Sequence, residues 1–382
     1  MLLSTFATLA LVPPAFAGMS PALIGLNSAP TGPQDAAGAF AVQAEVLVLG
    51  DGTRIEDGVL VVRDGKVVSA GAAEAPAGMP VHAHKGFVSP GLVAASSRLL
   101  PGDEALDTTR PFLPEARLID GFDKQSLAVR AALEAGVTTA VLAPTPNTVI
   151  GGLTAVVKTN GTVIKEDAHL AISMQDSAIS GRTAPTGYPG LVAELRKRLE
   201  AGEGVFGELT SAKRLAFVRV DDRHDITRAL DLGREHSIRG VLVGPTLAGE
   251  VLEYMKGSGM ALVLPSYGGA EVSGRTLEST LKVVKSEVRF AFSLANPLEF
   301  RFPAAAALRA GAEAPAIERG FFADGATLAL AADRVGTLEA GKDADFVLWS
   351  GDPLALTSRV EAVYIDGVSA YRRAKDTSDS HR

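Results

Sequence analysis

The chain of 382 residues contains no cysteine and only six histidines. Without cysteine there can be no disulfide bond, no cysteine-ligated zinc or iron–sulfur cluster, and no cysteine nucleophile. Any metal site must therefore be built from histidine, aspartate, glutamate or a modified lysine. Because histidine is so scarce, the positions of the six decide most of what the sequence says about catalysis.

Basic residues are also in short supply: 37 lysines and arginines stand against 44 aspartates and glutamates, a formal net charge of −7. Nucleic-acid binding needs clustered basic residues that displace counterions, so this balance argues against it. Apolar residues make up 47% of the chain, which is enough for a large core and excludes global disorder. The length predicts two domains, or one large barrel with an appendage.

The two ends of the chain differ from the rest. Residues 1–17 combine an apolar stretch, Leu2–Val12, with the small-x-small site Ala15-Phe16-Ala17, a pattern typical of a cleaved secretory signal peptide. We therefore expect an exported protein, periplasmic or extracellular. Residues 18–39 read as a flexible leader and residues 375–382 as a disordered tail. No later run of 18 apolar residues predicts a membrane span.

Two β-rich stretches are predicted to form one small domain. Residues 40–90 contain short apolar runs, and Asp64-Gly65 between two valine-rich runs predicts a hairpin. Residues 333–374 have the same texture, with Asp366-Gly367 as a second hairpin turn. We expect the two stretches to pair into a single β-sandwich.

Between them, residues 91–332 alternate short apolar strands with helical stretches. Leu215–Val220 and Val241–Val243 are almost continuously apolar, as is typical of parallel strands buried on both faces. Leu247–Lys256 is predicted to be a single helix. Strand–helix alternation over this length suits a (β/α)8 barrel better than an open sheet. The predicted fold is therefore α/β: a distorted TIM-like barrel inserted in a small β-sandwich.

Several strings in the chain carry a family resemblance. They are GVLVVRDGKVVSAG (58–71), GFVSPGL (86–92), ALEAGVTTAVLAPTPNTVIGGLTAVVK (132–158), VGTLEAGKDADFVLWSGDPL (335–354) and VEAVYIDG (360–367). Together they resemble the amidohydrolase superfamily, most closely its imidazolonepropionase-like members. The resemblance implies the same barrel and sandwich, and hydrolysis of non-peptide C–N bonds such as cyclic amides. In that chemistry one or two divalent metals, zinc or another, generate hydroxide near neutral pH.

The metal ligands that the resemblance implies are absent from their positions. The family places a His-x-His after the first barrel strand, a His after the fifth, a His after the sixth and an Asp after the eighth. Here Ser96 and Arg98 stand at the two positions of the His-x-His, and Arg219 or Asp221 stands at that of the third His. Gly244 stands at the position of the fourth His, and Ala295 at that of the aspartate. Serine is a poor zinc ligand and a guanidinium has no lone pair to give. We therefore predict no metal and no cofactor, although Ser96 and Arg98 could bind an anionic ligand.

Other candidate residues favour structural roles. His82 and His84 alternate along a strand of the β unit, His169 begins a barrel strand, and His236 ends a helix. In an active relative, the lysine at the position of Lys158 could be carboxylated and bridge two metal ions. Because the His ligands are missing here, there is nothing to bridge, and we expect Lys158 to be an ordinary lysine.

One His lies among carboxylates at the predicted top of the barrel. Asp221, Asp222 and His224 are weak candidates for a relocated catalytic site, and an aspartate-rich helix N-terminus explains the same residues. Tyr267-Gly268-Gly269 after the seventh strand could present backbone N–H groups.

Three functions remain open at this point. The first is a catalytically degenerate amidohydrolase homologue that binds a small-molecule ligand. The second is an active hydrolase with an atypical site near Asp221 and His224. The third is a non-enzymatic subunit that forms a homo-oligomer or partners an active amidohydrolase paralogue.

Overall fold

The computed structural model describes residues 38–100, 110–179, 184–267 and 272–374. The signal peptide (1–17) and the tail (375–382) that the sequence predicts lie outside these residues. The predicted leader, residues 18–39, also lies outside them except for its last two residues. Of these two, Ala39 already belongs to the first strand. Within the described ranges, no helix is both long and apolar enough to cross a membrane.

The elements follow the predicted order of strands, then alternating strands and helices, then strands again. The strands are β1 Ala39–Val48, β2 Arg54–Glu56, β3 Val59–Arg63, β4 Lys66–Gly71, β5 Val81–Pro90, β6 Leu92–Ser97, β7 Val137–Leu142, β8 Ile150–Leu153, β9 Ala155–Lys158, β10 Val163–Lys165, β11 His169–Ser173, β12 Leu215–Arg219, β13 Gly240–Val243, β14 Met260–Leu264, β15 Phe290–Leu294, β16 Phe346–Trp349, β17 Val360–Ile365 and β18 Val368–Arg372. The α-helices are α1 Leu127–Glu134, α2 Tyr188–Ala201, α3 Val205–Thr210, α4 Arg223–Glu235, α5 Leu252–Met255, α6 Gly274–Val284, α7 Phe302–Arg309, α8 Ala314–Phe321 and α9 Ala323–Leu328.

The N- and C-terminal strands form one hydrogen-bonded sheet, in the order β18-β17-β16-β5-β1-β3-β4, with β2 paired to β1. The two halves join where β16 runs antiparallel to β5, with Phe346 opposite Pro90. Both predicted hairpins are present. Asp64 and Gly65 have φ values of 49° and 75°, and the second Asp-Gly turn repeats the pattern. Positive φ at both central residues is the geometry that matches the twist of paired strands.

The remaining strands build the barrel sheet, in the order β10-β9-β7-β6-β15-β14-β13-β12-β11-β8. β8 and β9 are halves of one run, Ile150–Lys158, which pairs through β9 with β7 and through β8 with β11. This run therefore closes a ring of eight strand positions, which confirms the predicted distorted barrel. Unlike the other positions, it is antiparallel to both neighbours, because the seven residues 143–149 are too few for a parallel crossover.

Small apolar side chains fill the inside of the barrel. One buried cluster takes alternate residues from the strands and adds residues from α9 and the chain that follows it; among its members are Val93, Ala95, Val141, Val156, Ala171, Phe217, Val243, Val263, Ala291 and Leu328. A second, larger cluster joins the outward faces of the same strands to the surrounding helices.

One helix prediction is wrong in detail. The predicted helix Leu247–Lys256 is divided into a 3-10 turn, Ala248–Glu250, and the short helix α5, with Val251 at φ −122° between them. At Gly249 a Cβ atom would lie 2.4 Å from the carbonyl oxygen of Ser279 on α6. This close approach of the backbone to a neighbouring helix is a tertiary constraint, which a local helical pattern does not contain.

Candidate functional site at the barrel mouth

The upper end of the barrel, where the parallel strands end, holds the candidate ligand-binding residues. Ser96 on β6 pairs in register with Ser293 on β15. Ala291, two residues before Ser293, belongs to the interior cluster, so Ser293 also faces the interior because side chains alternate along a strand. Ser96 shares this interior face and is 2% exposed.

A β-bulge in β6 gives Ser96 this orientation. Between Ala94 and Ser97, three steps along β6 match two steps along β7. A bulge adds one residue and so resets the alternation of side chains between the two faces. Arg98 follows at the rim, where its side chain is exposed and its backbone N–H donates to the carbonyl of Leu294 at 3.1 Å.

A second arginine enters the mouth from β12. Arg219 pairs in register with Ser173, and the preceding inward pair is Phe217 with Ala171. Both residues of that preceding pair belong to the interior cluster, so Arg219 and Ser173 also point into the barrel. The guanidinium carbon of Arg219 lies 5.9 Å from the centre of the Phe217 ring.

Arg219 has an unusual environment for a cation. Its Nε atom is buried and has no hydrogen-bond partner. Burial, together with the nearby positive charge of Arg98, lowers the pKa of Arg219 to about 10. The mouth therefore holds two positive charges that repel each other, and burial destabilises the inner one.

The other two ligand positions carry no donor side chain. Gly244 follows β13 with φ +83°, and its N–H donates to the carbonyl of Val263 at 2.9 Å. Ala295 follows β15 and is exposed. Ser96, Arg98, Gly244 and Ala295 do not fit a divalent cation, because they supply positive charge and almost no lone pairs. At the remaining position, Arg219 or Asp221, only the aspartate could donate to a metal. No group of three potential metal-binding side chains occurs within the described ranges.

The acidic candidates lie just beyond the end of β12, at the start of α4. Asp222 is the N-cap of this helix, and its Oδ1 accepts from the N–H groups of His224 at 2.7 Å and Asp225 at 3.0 Å. The ring of His224 lies 4.8 Å from that of Tyr188 on α2. Thr246 donates through its N–H to the carbonyl of Asp221 at 3.1 Å. The structure thus brings the three candidates together around a helix N-terminus.

Asp225 is the carboxyl group in this cluster with a perturbed proton affinity. It is 6% exposed, and the Asp221 N–H donates to its Oδ2 at 3.2 Å. Burial raises the pKa of Asp225 to about 6, outweighing that hydrogen bond. The sequence shows this aspartate beside the candidates, but its burial follows from helix packing.

Lys158 lies at the opposite end of the barrel. It pairs with Thr139 near the start of β7, so it is at the lower end of the ring. Its Nζ donates to Asp343 at 2.8 Å, Asp345 at 3.0 Å and Asp366 at 2.5 Å. Burial lowers the pKa of Lys158, but these three carboxylates outweigh it and raise the pKa overall. Lys158 is therefore an ordinary charged lysine that ties the barrel to the terminal sheet.

The other histidines that the structure describes lie away from the mouth. His169 is fully buried, with Nδ1 2.9 Å from the Thr154 hydroxyl and Nε2 3.1 Å from the carbonyl of Leu328. The Nε2 of His84 is 2.9 Å from the carbonyl oxygen of Trp349, and His82 lies two residues earlier on β5. His236 caps the C-terminus of α4, as predicted.

Two further residues fall outside the described ranges or at their edge. His381, in the tail that the sequence predicts, lies beyond residue 374. Of the Tyr267-Gly268-Gly269 loop only Tyr267 is described, and its hydroxyl is 3.5 Å from that of Thr280.

Solved structures share this fold. An amidohydrolase from Thermotoga maritima MSB8 superposes with a TM-score of 0.80 at 24% identity, covering 87% of this chain and 100% of the other. A putative prolidase from Bifidobacterium longum gives 0.58 at 14% identity, covering 88% and 95%. The A. niger ochratoxinase gives 0.57 at 16% identity, covering 88% and 96%. At these identities the likeness establishes the barrel with its companion sheet.

Comparisons of sequence give no match: no protein-family model fits the chain, and no curated protein is similar to it.

Proposed function

We propose that this protein is a member of the amidohydrolase superfamily that has lost the metal-dependent reaction and uses the barrel mouth to bind a small-molecule ligand. The observation that carries the proposal is the identity of the residues at the expected ligand positions: Ser96, Arg98, Gly244 and Ala295, with Arg219 or Asp221 at the remaining one. The likeness in fold and the strings in the sequence support membership of the superfamily.

Positive charge at the barrel mouth is the physical reason why we expect no divalent metal to bind there. A divalent metal lowers the pKa of a bound water to about 7, and the ion must first be held by lone-pair donors such as histidine or carboxylate groups. Arg98 and Arg219 add positive charge at the same place, and arginine stays protonated at neutral pH. Repulsion therefore opposes metal binding before any reaction can begin.

Hydrolysis assays test this proposal. Purified protein, loaded separately with zinc, manganese and cobalt, is offered a panel of lactams, imides and dipeptides. We expect no turnover above that of buffer with the same metal. Turnover that depends on added metal and is abolished by a chelator would overturn the proposal.

An active hydrolase with a relocated site is the second candidate, and one observation favours it. A carboxyl group with a pKa of about 6, as burial gives Asp225, can exchange protons near neutral pH, and His224 is adjacent. On this alternative, Asp221→Asn and His224→Gln abolish a metal-independent activity that wild type possesses. Asp333→Asn, at an exposed position, serves as the matched control.

Two further parts of the proposal concern the cell. We propose that the chain is exported after cleavage behind Ala17, so N-terminal sequencing of the mature protein should begin at Gly18. We also propose that it forms a homo-oligomer or associates with an active amidohydrolase paralogue. Light scattering on the purified protein distinguishes the first arrangement, and co-purification from the source cells the second.

A further inference from the structure

Arg219 differs from the other arginines that the structure removes from solvent. Arg54, for example, donates to Glu318 at 2.7 Å and to Asp352 at 2.7 Å. Burial lowers the pKa of Arg301, but its guanidinium donates hydrogen bonds to three backbone carbonyls, which offset the loss of water. Arg219 has neither: across the described ranges no carboxylate pairs with it, and its buried Nε lacks an acceptor.

An unpaired charge inside a protein opposes folding unless something else compensates it. Among the residues that the structure describes, the surroundings of Arg219 offer hydroxyl groups but no carboxylate paired with it. Ser173 is its register partner, and Ser96 and Ser293 line the same interior face. Guanidinium and hydroxyl groups on one interior face are the donors that recognise an oxyanion.

We propose that the barrel mouth binds an oxyanion, the carboxylate or phosphate group of a small organic molecule, with Arg219 as the inner anchor and Arg98 at the rim. This inference rests on the proposed function, since it names the ligand class of the same site. The inner walls beside Arg219 are apolar, with Val243 as its register partner on β13 and Val263 next to that on β14. Such walls suit a ligand with a compact apolar body behind its anionic group.

The site thus inverts the charge preference of the positions that it occupies. Where the superfamily resemblance places groups that attract a cation, this chain places two groups that attract an anion. A bound oxyanion would be stabilised by charge-assisted hydrogen bonds, and it would also remove the repulsion between the two arginines.

Binding experiments on the full chain test the inference. Sodium propionate, sodium succinate and inorganic phosphate are titrated against wild type, Arg219→Gln and Arg309→Gln, with sodium chloride at equal ionic strength as the reference. Arg309 is exposed at the end of α7, so its variant removes the same charge far from the interior. We expect at least one anion to bind wild type and Arg309→Gln equally, and Arg219→Gln roughly tenfold to a hundredfold more weakly.

Circular dichroism checks that Arg219→Gln is folded. Arg98→Gln is a second variant, and its affinity for the anion should fall less than that of Arg219→Gln because Arg98 lies at the exposed rim. Binding of carboxylates alone, or of phosphate alone, supports the proposal and identifies the group. The proposal is overturned if no anion binds, or if Arg219→Gln binds as well as wild type.

One more arm asks whether the chain supplies the anion itself. Asp103, Glu104 and Asp107 follow β6 in sequence, outside the described residues. If anions bind only after all three are neutralised to Asn, Gln and Asn, an internal carboxylate occupies the site and the inference fails. If the protein hydrolyses a substrate with added metal and also binds an anion through Arg219, the proposed function is refuted but the inference stands. If it neither hydrolyses a substrate nor binds an anion, the inference is refuted but the loss of the metal-dependent reaction stands.

Discussion

Replacing Arg219 by methionine should stabilise the ligand-free protein. Methionine matches the arginine side chain as far as Nε, so the substitution keeps an apolar stem of similar length while removing the guanidinium and its charge. The pKa of Arg219 is lowered from its ordinary value to about 10, first by burial and then by Arg98. That difference corresponds to about 3 kcal/mol of unfavourable interaction with the charged form.

Part of this gain is offset by the lost attraction between the guanidinium and the Phe217 ring, about 0.5–1 kcal/mol at this kind of contact. We therefore expect Arg219→Met to raise the free energy of unfolding by about 2–2.5 kcal/mol at neutral pH. Urea denaturation followed by fluorescence measures it conveniently, because the one tryptophan of the chain, Trp349, is fully buried.

Arg309→Met is the control, and at an exposed position its effect should stay within about 0.5 kcal/mol. A saturating oxyanion should reverse the order of wild type and Arg219→Met, because only wild type gains the bound ligand's stabilisation. If Arg219→Met is less stable than wild type without any ligand, the guanidinium has a favourable partner and the reasoning is refuted.

Three further predictions concern stability. Burial lowers the pKa of His169 from 6.5 to about 4, so as the pH falls the unfolded chain takes up a proton on this histidine before the folded chain does. The stability advantage of wild type over His169→Gln should therefore shrink by about 3 kcal/mol between pH 6.5 and pH 4. Urea denaturation at each pH measures this difference, and a difference that does not change with pH would contradict the prediction. Lys158→Met leaves the buried Asp345 without its charged partner, although Asp343 keeps Lys66 and Arg334, and should cost about 3–5 kcal/mol; an unchanged denaturation midpoint would show that the ion cluster contributes nothing. Asp222→Ala removes the N-cap of α4 and should cost about 1 kcal/mol by the same assay, and a loss below a few tenths would mean that the cap is dispensable.

The elements that could be predicted from the sequence are those with strong local signals. The apolar run Leu215–Val220 became β12, Leu215–Arg219, because a strand buried on both faces must be apolar along its length. Asp64-Gly65 gave a hairpin because aspartate tolerates and glycine readily adopts the positive φ that the turn requires. These signals lie within a few residues and do not depend on the rest of the fold.

Other features depend on contacts between distant parts of the chain. The antiparallel direction of Ile150–Lys158 depends on how a short connection returns to the sheet, and hydrophobic pattern does not encode direction. The sequence points to Arg219 as a position where a metal ligand could have been. Its buried Nε, and its lack of an acidic partner among the described residues, follow only from the packing of β11, β12 and β6 around it. A search for charged residues at inward-facing strand positions would have singled it out.

Metal content is the most direct test of the central claim that the barrel mouth does not hold a divalent metal. The protein is purified without chelators from cells grown with zinc, manganese and cobalt, and its bound metals are measured by mass spectrometry. The account predicts only traces of divalent metal, equal in wild type and in an Arg219→Gln variant. A tightly bound divalent ion at one per chain, lost when Ser96 and Asp221 are replaced by alanine, would contradict it.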